Sequence, residues 1–220
     1  ENSLIITNAH AINNGRMPTL DNNSNDFFFT EKSDTTDILN TIIEMCVTRI
    51  PRYLNIDSSK VQVLAPMKAG LCGIDNLNKC LQDRLNPAIK FSAEVSTDKV
   101  TYRIGDRVMQ TSNNYEREWS KDFEKGSGVV NGDIGTISDI NMITNETTVV
   151  FEDGRTTKYL KSDLSEITLS YAITIHKSQG SEFDVVIIPA IGGPPMLLTR
   201  NLLYTAVTRA KKMVVIVGSN

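Results

Sequence analysis

The sequence predicts an α/β fold in which a parallel sheet flanked by helices is interrupted by a small β-barrel of the SH3-like type. Three observations carry this reading. Val61-Gln-Val-Leu-Ala65 is a short apolar run followed by a Pro/Lys/Gly loop and a helical apolar period, the strand–loop–helix order of an α/β unit. Phe183–Ile188 is continuous and β-branched, as a strand buried on both faces requires. From about Val100 the texture changes to short strand-like runs at Val100–Gln110, Gly135–Ile140, Thr147–Phe151 and Thr156–Leu160. These are separated by Gly105-Asp106, Asn131-Gly132-Asp133 and Asp153-Gly154, which read as hairpin turns.

In chain order, Ser3–Gly15 reads as a helix with Leu4, Ile5, Ala9 and Ile12 on one face; Gly15 stops it and Pro18 lies beyond. Asp21–Asn25 is a polar turn and Asp26–Thr30 a short strand. Asp34 is the expected N-cap of a helix whose apolar positions Ile38, Leu39, Ile42, Ile43, Cys46 and Val47 recur up to Arg49, with Pro51 marking its end. Beyond Ala65, Ile74, Leu77, Cys80, Leu81 and Leu85 form a second stripe, closed by Asn86-Pro87. After Ile188, with Pro189 bounding the strand, Ala190-Ile-Gly-Gly-Pro-Pro195 reads as a rigid turn. Leu202, Leu203, Ala206 and Val207 then make a helical face, with Arg209, Lys211 and Lys212 near the helix C-terminus, and Met213–Gly218 closes as a buried strand.

A chain of 220 residues, 40% hydrophobic, buries one substantial core, or one core plus a small insert. The net charge of −3 argues against a coat for polyanions but leaves room for a local basic groove. Cys46, Cys72 and Cys80 are odd in number and lack metal-ligand spacing, so they read as reduced thiols, and His10 and His176 are too few for a zinc set. No apolar run reaches transmembrane length and no signal peptide opens the chain, so a cytoplasmic protein is expected. Glu1 is not an initiator, and the chain reads as a processed product or a piece of a longer one.

The candidate chemistry lies in loops. Thr174–Glu182 gathers a hydroxyl, an imidazole, an ammonium (Lys177), an amide (Gln179), a glycine (Gly180) and a carboxylate beside the apolar strand. Polar loops on a sheet rim are where α/β proteins place phosphate contacts, though an ordinary solvated loop has the same composition. Lys68 lies in a strand–loop–helix turn of the kind that offers amides to phosphate, though a lone lysine there is more often a solvated charge. In Thr111–Lys121, Tyr115 and Trp119 stand beside Arg117 and Lys121. They suit base stacking and phosphate contact, or a loop whose aromatics fold back on the barrel. Arg209 at a helix end suits the helix dipole.

Thr174-Ile-His-Lys-Ser-Gln-Gly-Ser-Glu182 resembles motif V of superfamily 1 helicases in the form used by the RecD-like, 5′-to-3′ branch. Leu203-Tyr-Thr-Ala-Val-Thr-Arg-Ala210 is similar to motif VI. Val63-Leu-Ala-Pro-Met-Lys68, Leu77–Pro87, Gly105–Gln110 and Val130–Gly135 resemble the same family, which carries an SH3-like insert (subdomain 2B) at this place. The resemblance spans essentially the whole chain and implies a RecA-like second motor domain (2A). Residues 1–92 would be its first part, 93–167 the insert, and 168–220 its second part with motifs V and VI. It further implies an ATP-dependent DNA helicase of the exodeoxyribonuclease V alpha subunit family, acting in DNA recombination and repair. By motif position, Arg209 is implied as an arginine finger at the γ-phosphate and Gln179, Gly180 and Glu182 as nucleotide-side contacts. Thr174, His176 and Lys68 are implied as contacts to single-stranded DNA, and the loop with Asn114 and Tyr115 is expected to add to them.

No Gly-x-x-x-x-Gly-Lys-[Ser/Thr] occurs in these residues. The resemblance assigns that phosphate cradle, and with it most of the hold on ATP and Mg2+, to an N-terminal motor domain of the same polypeptide. These residues alone are therefore expected not to hydrolyse ATP. Other exodeoxyribonuclease V subunits are possible further partners, no membrane is implied, and no nuclease-like acidic centre or metal site is expected. The rival readings are a nucleic-acid-binding module without an ATP role, a purely structural α/β domain, and the helicase part of a conjugative relaxase.

Overall fold

A computed structural model describes residues 3–191 and 198–219, so the turn read at Ala190–Pro195 lies, from Gly192 on, outside the described residues. The chain forms two compact units: one runs to Leu85 and resumes at Ala172, and the other is Asn86–Tyr171.

The first unit opens with α1 (Leu4–Asn13) and β1 (Phe27–Glu31). Asp26 ties them together: its carboxylate accepts from the Ser3 hydroxyl at 2.6 Å and from the Leu4 N–H at 3.2 Å, meeting orphan donors of the helix start. Asn22, in the left-handed region (φ 58), brackets the Phe29 backbone with its amide, at 2.7 Å to the N–H and 2.9 Å to the carbonyl. This covers the β1 edge as a neighbouring strand would. In α2 (Thr35–Glu44) Asp34 is the N-cap as expected, accepting from the Thr36 and Asp37 N–H groups; such caps are worth about 1 kcal/mol.

The helix does not stop at Pro51. Met45–Arg49 widen into a π-helical turn in which the Ile50 N–H donates to the Met45 carbonyl, and α3 (Ile50–Leu54) continues to Asn55 in the left-handed conformation. Pro51 sits in the first turn of α3, where its missing N–H costs little and the wider turn relieves its ring. β2 (Val61–Ala65) is wholly buried, and α4 (Ile74–Leu85) follows.

The second unit holds β3 (Glu94–Ser96) and β4 (Thr101–Arg103) as a separate hairpin. Then follow β5 (Arg107–Gln110), β6 (Asn114–Lys121), β7 (Glu124–Val129), β8 (Ile134–Asn141), β9 (Glu146–Phe151), β10 (Thr156–Leu160) and β11 (Ile167–Leu169). The last seven form one antiparallel sheet in the order β11-β5-β8-β9-β10-β6-β7. Two expectations change here. Thr111–Lys121 is mostly strand, paired with β7. Of the three turn signals only Asp153-Gly154 closes a hairpin, between β9 and β10. Gly105-Asp106 and Asn131-Gly132-Asp133 turn corners between strands that are not neighbours, the latter held by Gly132 N–H to Gln110 O at 2.9 Å.

Buried Asp106 staples the ends of this unit, accepting from Asn86 Nδ2 at 2.8 Å, Arg103 N–H at 2.7 Å and the Tyr171 hydroxyl at 2.8 Å. That network fixes where the insert leaves and rejoins the chain, and the antiparallel sheet suits an SH3-like domain.

The first unit resumes with β12 (Ala172–Thr174), a 3-10 turn Ile175–Ser178, β13 (Phe183–Ala190), α5 (Arg200–Val207) and β14 (Ala210–Gly218). Its five strands are all parallel, in the order β1-β14-β13-β2-β12. Val185–Ile188 are fully buried, as a central parallel strand demands. β13 runs past Pro189, because its ladder with β2 stops at Ile187 and the proline neighbours β14 alone. α5 ends at Val207, so Lys211 and Lys212 belong to β14 rather than to a helix end. No helix among the described residues is long and apolar enough to cross a membrane.

Candidate nucleotide and nucleic-acid site

The sheet register separates the candidate residues into two groups. Thr174 ends β12 level with Ala65 of β2, at the C-terminal edge of the sheet, where Lys68 also lies in the loop after β2. Ile187 pairs with Val63, so this edge is level with Pro189 of β13. Phe183 starts β13 at the opposite edge, beside Ala210 of β14, and its N–H donates to the Arg209 carbonyl at 2.8 Å. The distance from edge to edge, Phe183 to Pro189, is about 20 Å at strand rise. The segment 175–182 therefore crosses the sheet from one edge to the other.

Its geometry suits that task. Thr174 caps the 3-10 turn, its Oγ1 accepting from the Lys177 N–H at 3.4 Å; buried Ser178 donates to the Ile175 carbonyl at 2.6 Å, and α5 packs against the turn. Gly180 has φ 84 and open space where a Cβ would sit, so backbone conformation rather than crowding calls for glycine. The Ser181 N–H returns to the Ser178 carbonyl at 3.0 Å.

At the first edge His176 and Lys68 are exposed and Thr174 is half-buried. At the second, Arg209 follows α5, and its guanidinium reaches the motif V segment: Nη1 donates to the Ser181 carbonyl at 3.2 Å and Nη2 to Thr208 Oγ1 at 3.4 Å. Its Nε is buried without an acceptor, and among the described residues no carboxylate pairs with it. Its side-chain partners are a loop carbonyl and the hydroxyl of Thr208, the C-cap of α5, rather than the carbonyls of α5. Gln179 and Glu182 are exposed. Glu182 meets Lys211 at 3.5 Å, but both are more than half exposed, and such pairs are worth little.

Asn114 and Tyr115 lie in the other unit. The Asn114 amide donates to both Glu166 oxygens at 3.1 Å while its Oδ1 accepts from the Glu116 N–H, so both ends of the side chain are engaged. Tyr115 is 69% exposed. Arg117, read as a phosphate contact, is instead an internal strut. It pairs with Glu166 at 2.7 Å and Asp163 at 3.3 Å and lies 4.2 Å over the Tyr159 ring. Trp119 covers Gly126 across the hairpin, so closely that a Cβ there would lie 2.5 Å from its Cζ2.

Residue-by-residue reading missed three contributors. Asn78, buried on α4, donates to the Ala172 carbonyl at 2.9 Å and accepts the Ala172 N–H at 2.8 Å, fixing the short edge strand that ends in Thr174. A polar residue on the Ile74/Leu81/Leu85 stripe was the available signal. Ser181 acts through its carbonyl and Thr208 through a contact to its neighbour; both lie within the two motif stretches, but their residue types do not mark these contacts. The cysteines are quiet: burial pushes the Cys46 thiol up to about 12 and Cys72 to about 11.

A parallel sheet of this order, interrupted by a small antiparallel domain, has the RecA-like fold of superfamily 1 helicases. Residues 169–217 match the UvrD-like helicase C-terminal domain and 77–151 the SH3 domain of ATP-dependent RecD-like DNA helicases. The ATP-dependent RecD2 DNA helicase of Deinococcus radiodurans is 35% identical over 159 residues, covering 72% of this chain and 20% of its own length. The RecBCD enzyme subunit RecD of Mycolicibacterium smegmatis is 29% identical over 160 residues, covering 72% of this chain and 25% of its own. The chain thus spans about a fifth to a quarter of these relatives. In fold it is similar to Bacteroides Pif1 bound to single-stranded DNA, with a TM-score of 0.55 at 20% identity over 98% of this chain and 49% of that one. The chain belongs to the RecD-like family of superfamily 1 DNA helicases.

Proposed function

We propose that this chain is the second half of an ATP-driven motor on single-stranded DNA, with DNA held at the C-terminal edge of its parallel sheet and nucleotide at the opposite edge. The observation that carries the reading is Arg209. It is a guanidinium with no carboxylate partner among the described residues and one buried, unsatisfied donor, held on the loop whose other end is Thr174. Its terminal nitrogens rest on neutral acceptors, so the guanidinium keeps its charge and a further N–H on each for a phosphoryl oxygen arriving at that edge. The Arg209 side chain therefore fits a phosphate group.

Among the described residues no group of three or more His, Cys, Asp or Glu gathers as a metal site. The metal and the main phosphate cradle are assigned to an N-terminal motor domain of the same polypeptide. ATP, when bound, supplies a transferable γ-phosphoryl group. Arg209 donates N–H groups to the charge that builds on it, as arginine fingers do. The Gly180 backbone, free of any Cβ, leaves room for close approach, and the exposed Gln179 and Glu182 flank the same segment. Thr174, His176 and Lys68 offer a hydroxyl, an imidazole and an ammonium to the strand. In the insert, exposed Tyr115 is the stacking candidate, whereas Asn114 serves chiefly to hold Glu166. Alternating closure and opening between two motor domains would convert turnover into movement along DNA, in recombination and repair.

Arg209→Ala in the complete helicase polypeptide tests the reading. The single-stranded-DNA-stimulated kcat is expected to fall by about 10³ or more with nucleotide binding largely kept. Unchanged turnover in a folded variant would refute it. Residues 1–220 alone are expected to show no turnover.

A further inference from the structure

Every backbone group of Arg209 is tied: its N–H donates to the Ala206 carbonyl at 3.1 Å and its carbonyl accepts from Phe183. What remains to be fixed is the side chain, a long, rotamer-rich stem ending in a planar fork. Its two terminal nitrogens rest on two neutral acceptors, the Ser181 carbonyl and Thr208 Oγ1. The Thr208 hydroxyl lies 3.0 Å from the Tyr204 carbonyl and 2.9 Å from the Thr205 carbonyl. Carbonyls only accept, so the hydroxyl proton points to the helix and a lone pair is left over. Arginine only donates, so that lone pair faces Nη2. The direction of the contact is fixed from both sides, and two anchors on two nitrogens define the plane of the fork.

We infer that Thr208 is a positioning residue for Arg209: its hydroxyl, oriented by the last turn of α5, holds the guanidinium in the plane set jointly with Ser181 while leaving one N–H on each terminal nitrogen for the phosphoryl group. This rests on the proposal that Arg209 serves the γ-phosphate. Because the anchors are neutral, they orient the fork without cancelling its charge, which a carboxylate in the same place would do.

The test uses the complete helicase polypeptide with saturating single-stranded DNA and compares Thr208→Val, which keeps the shape, with Thr208→Ser, which keeps the hydroxyl. Thr208→Val is expected to lower kcat about tenfold to a hundredfold, as small misplacements of a reacting group do, with the KM for ATP moving less than about twofold. Thr208→Ser should restore turnover to within about twofold of wild type. In an Arg209→Ala background, Thr208→Val should cause no further loss, since its effect passes through the arginine. If Thr208→Val turns over as wild type while Arg209→Ala is inactive, the positioning role is wrong and the motor reading stands. If Thr208→Val lowers turnover further in the Arg209→Ala background, it acts structurally and the inference again fails. If Arg209→Ala itself has no effect, the underlying reading fails.

Discussion

Glu166 shows how far single residues of the insert are committed to stability rather than to ligand. Its carboxyl is held down at about 2, against an ordinary 4.5, first by the Arg117 hydrogen bonds and then by those from Gln110 and Asn114, which outweigh its partial burial. A depressed carboxylate stabilises the fold above its unfolded value, and that contribution drains away as pH falls from about 4.5 towards 2. Glu166→Gln is therefore expected to cost about 1–3 kcal/mol near neutrality. Its melting temperature should converge on that of the wild type as the pH drops through that window, and a gap that persists at the acid end would contradict the assignment. The same network explains why Arg117 and Asn114 read as DNA contacts in the sequence. An arginine and an amide beside aromatics have the composition of a nucleic-acid loop, and only the fold brings Glu166 and Asp163 from some fifty positions away to occupy them.

Among the elements, those with a continuous or strictly periodic apolar pattern were legible. β2 and α4 have the expected bounds, and β13 differs only in running on through Pro189. Ends governed by backbone geometry were not. The π turn that lets a helix pass Pro51, and the corners at Gly105-Asp106 and Asn131-Gly132, depend on partners distant in sequence. The residues of motifs V and VI could be named in advance, but their sorting onto two edges of one sheet follows from strand register alone. That sorting depends on β12, a three-residue edge strand held by Asn78. Asn78→Leu, which removes both bonds and strands the buried Ala172 amide and carbonyl, is expected to destabilise by about 2–4 kcal/mol. In the complete polypeptide it should also weaken DNA-dependent stimulation more than nucleotide binding. Denaturant titration and DNA titration of turnover measure the two effects, and wild-type values in both would remove β12 from the account.

At the scale of the whole molecule, one chain carries two kinds of sheet with different duties. The parallel sheet has two rims, which we propose take DNA and nucleotide, and a loop running between them, while the Asp106 network ties together the ends of the antiparallel insert. The central claim is that the two rims do separate work. It is tested by following ATP turnover of the complete polypeptide against single-stranded DNA concentration for His176→Ala with Lys68→Ala, and separately for Arg209→Ala. The first variant is expected to need at least about tenfold more DNA for half-maximal stimulation while approaching wild-type turnover at saturation. The second should keep the wild-type DNA midpoint, measured by direct binding, and lose turnover at every DNA concentration. If both variants instead lose saturating turnover with DNA affinity untouched, the rims are not separate and the account is wrong.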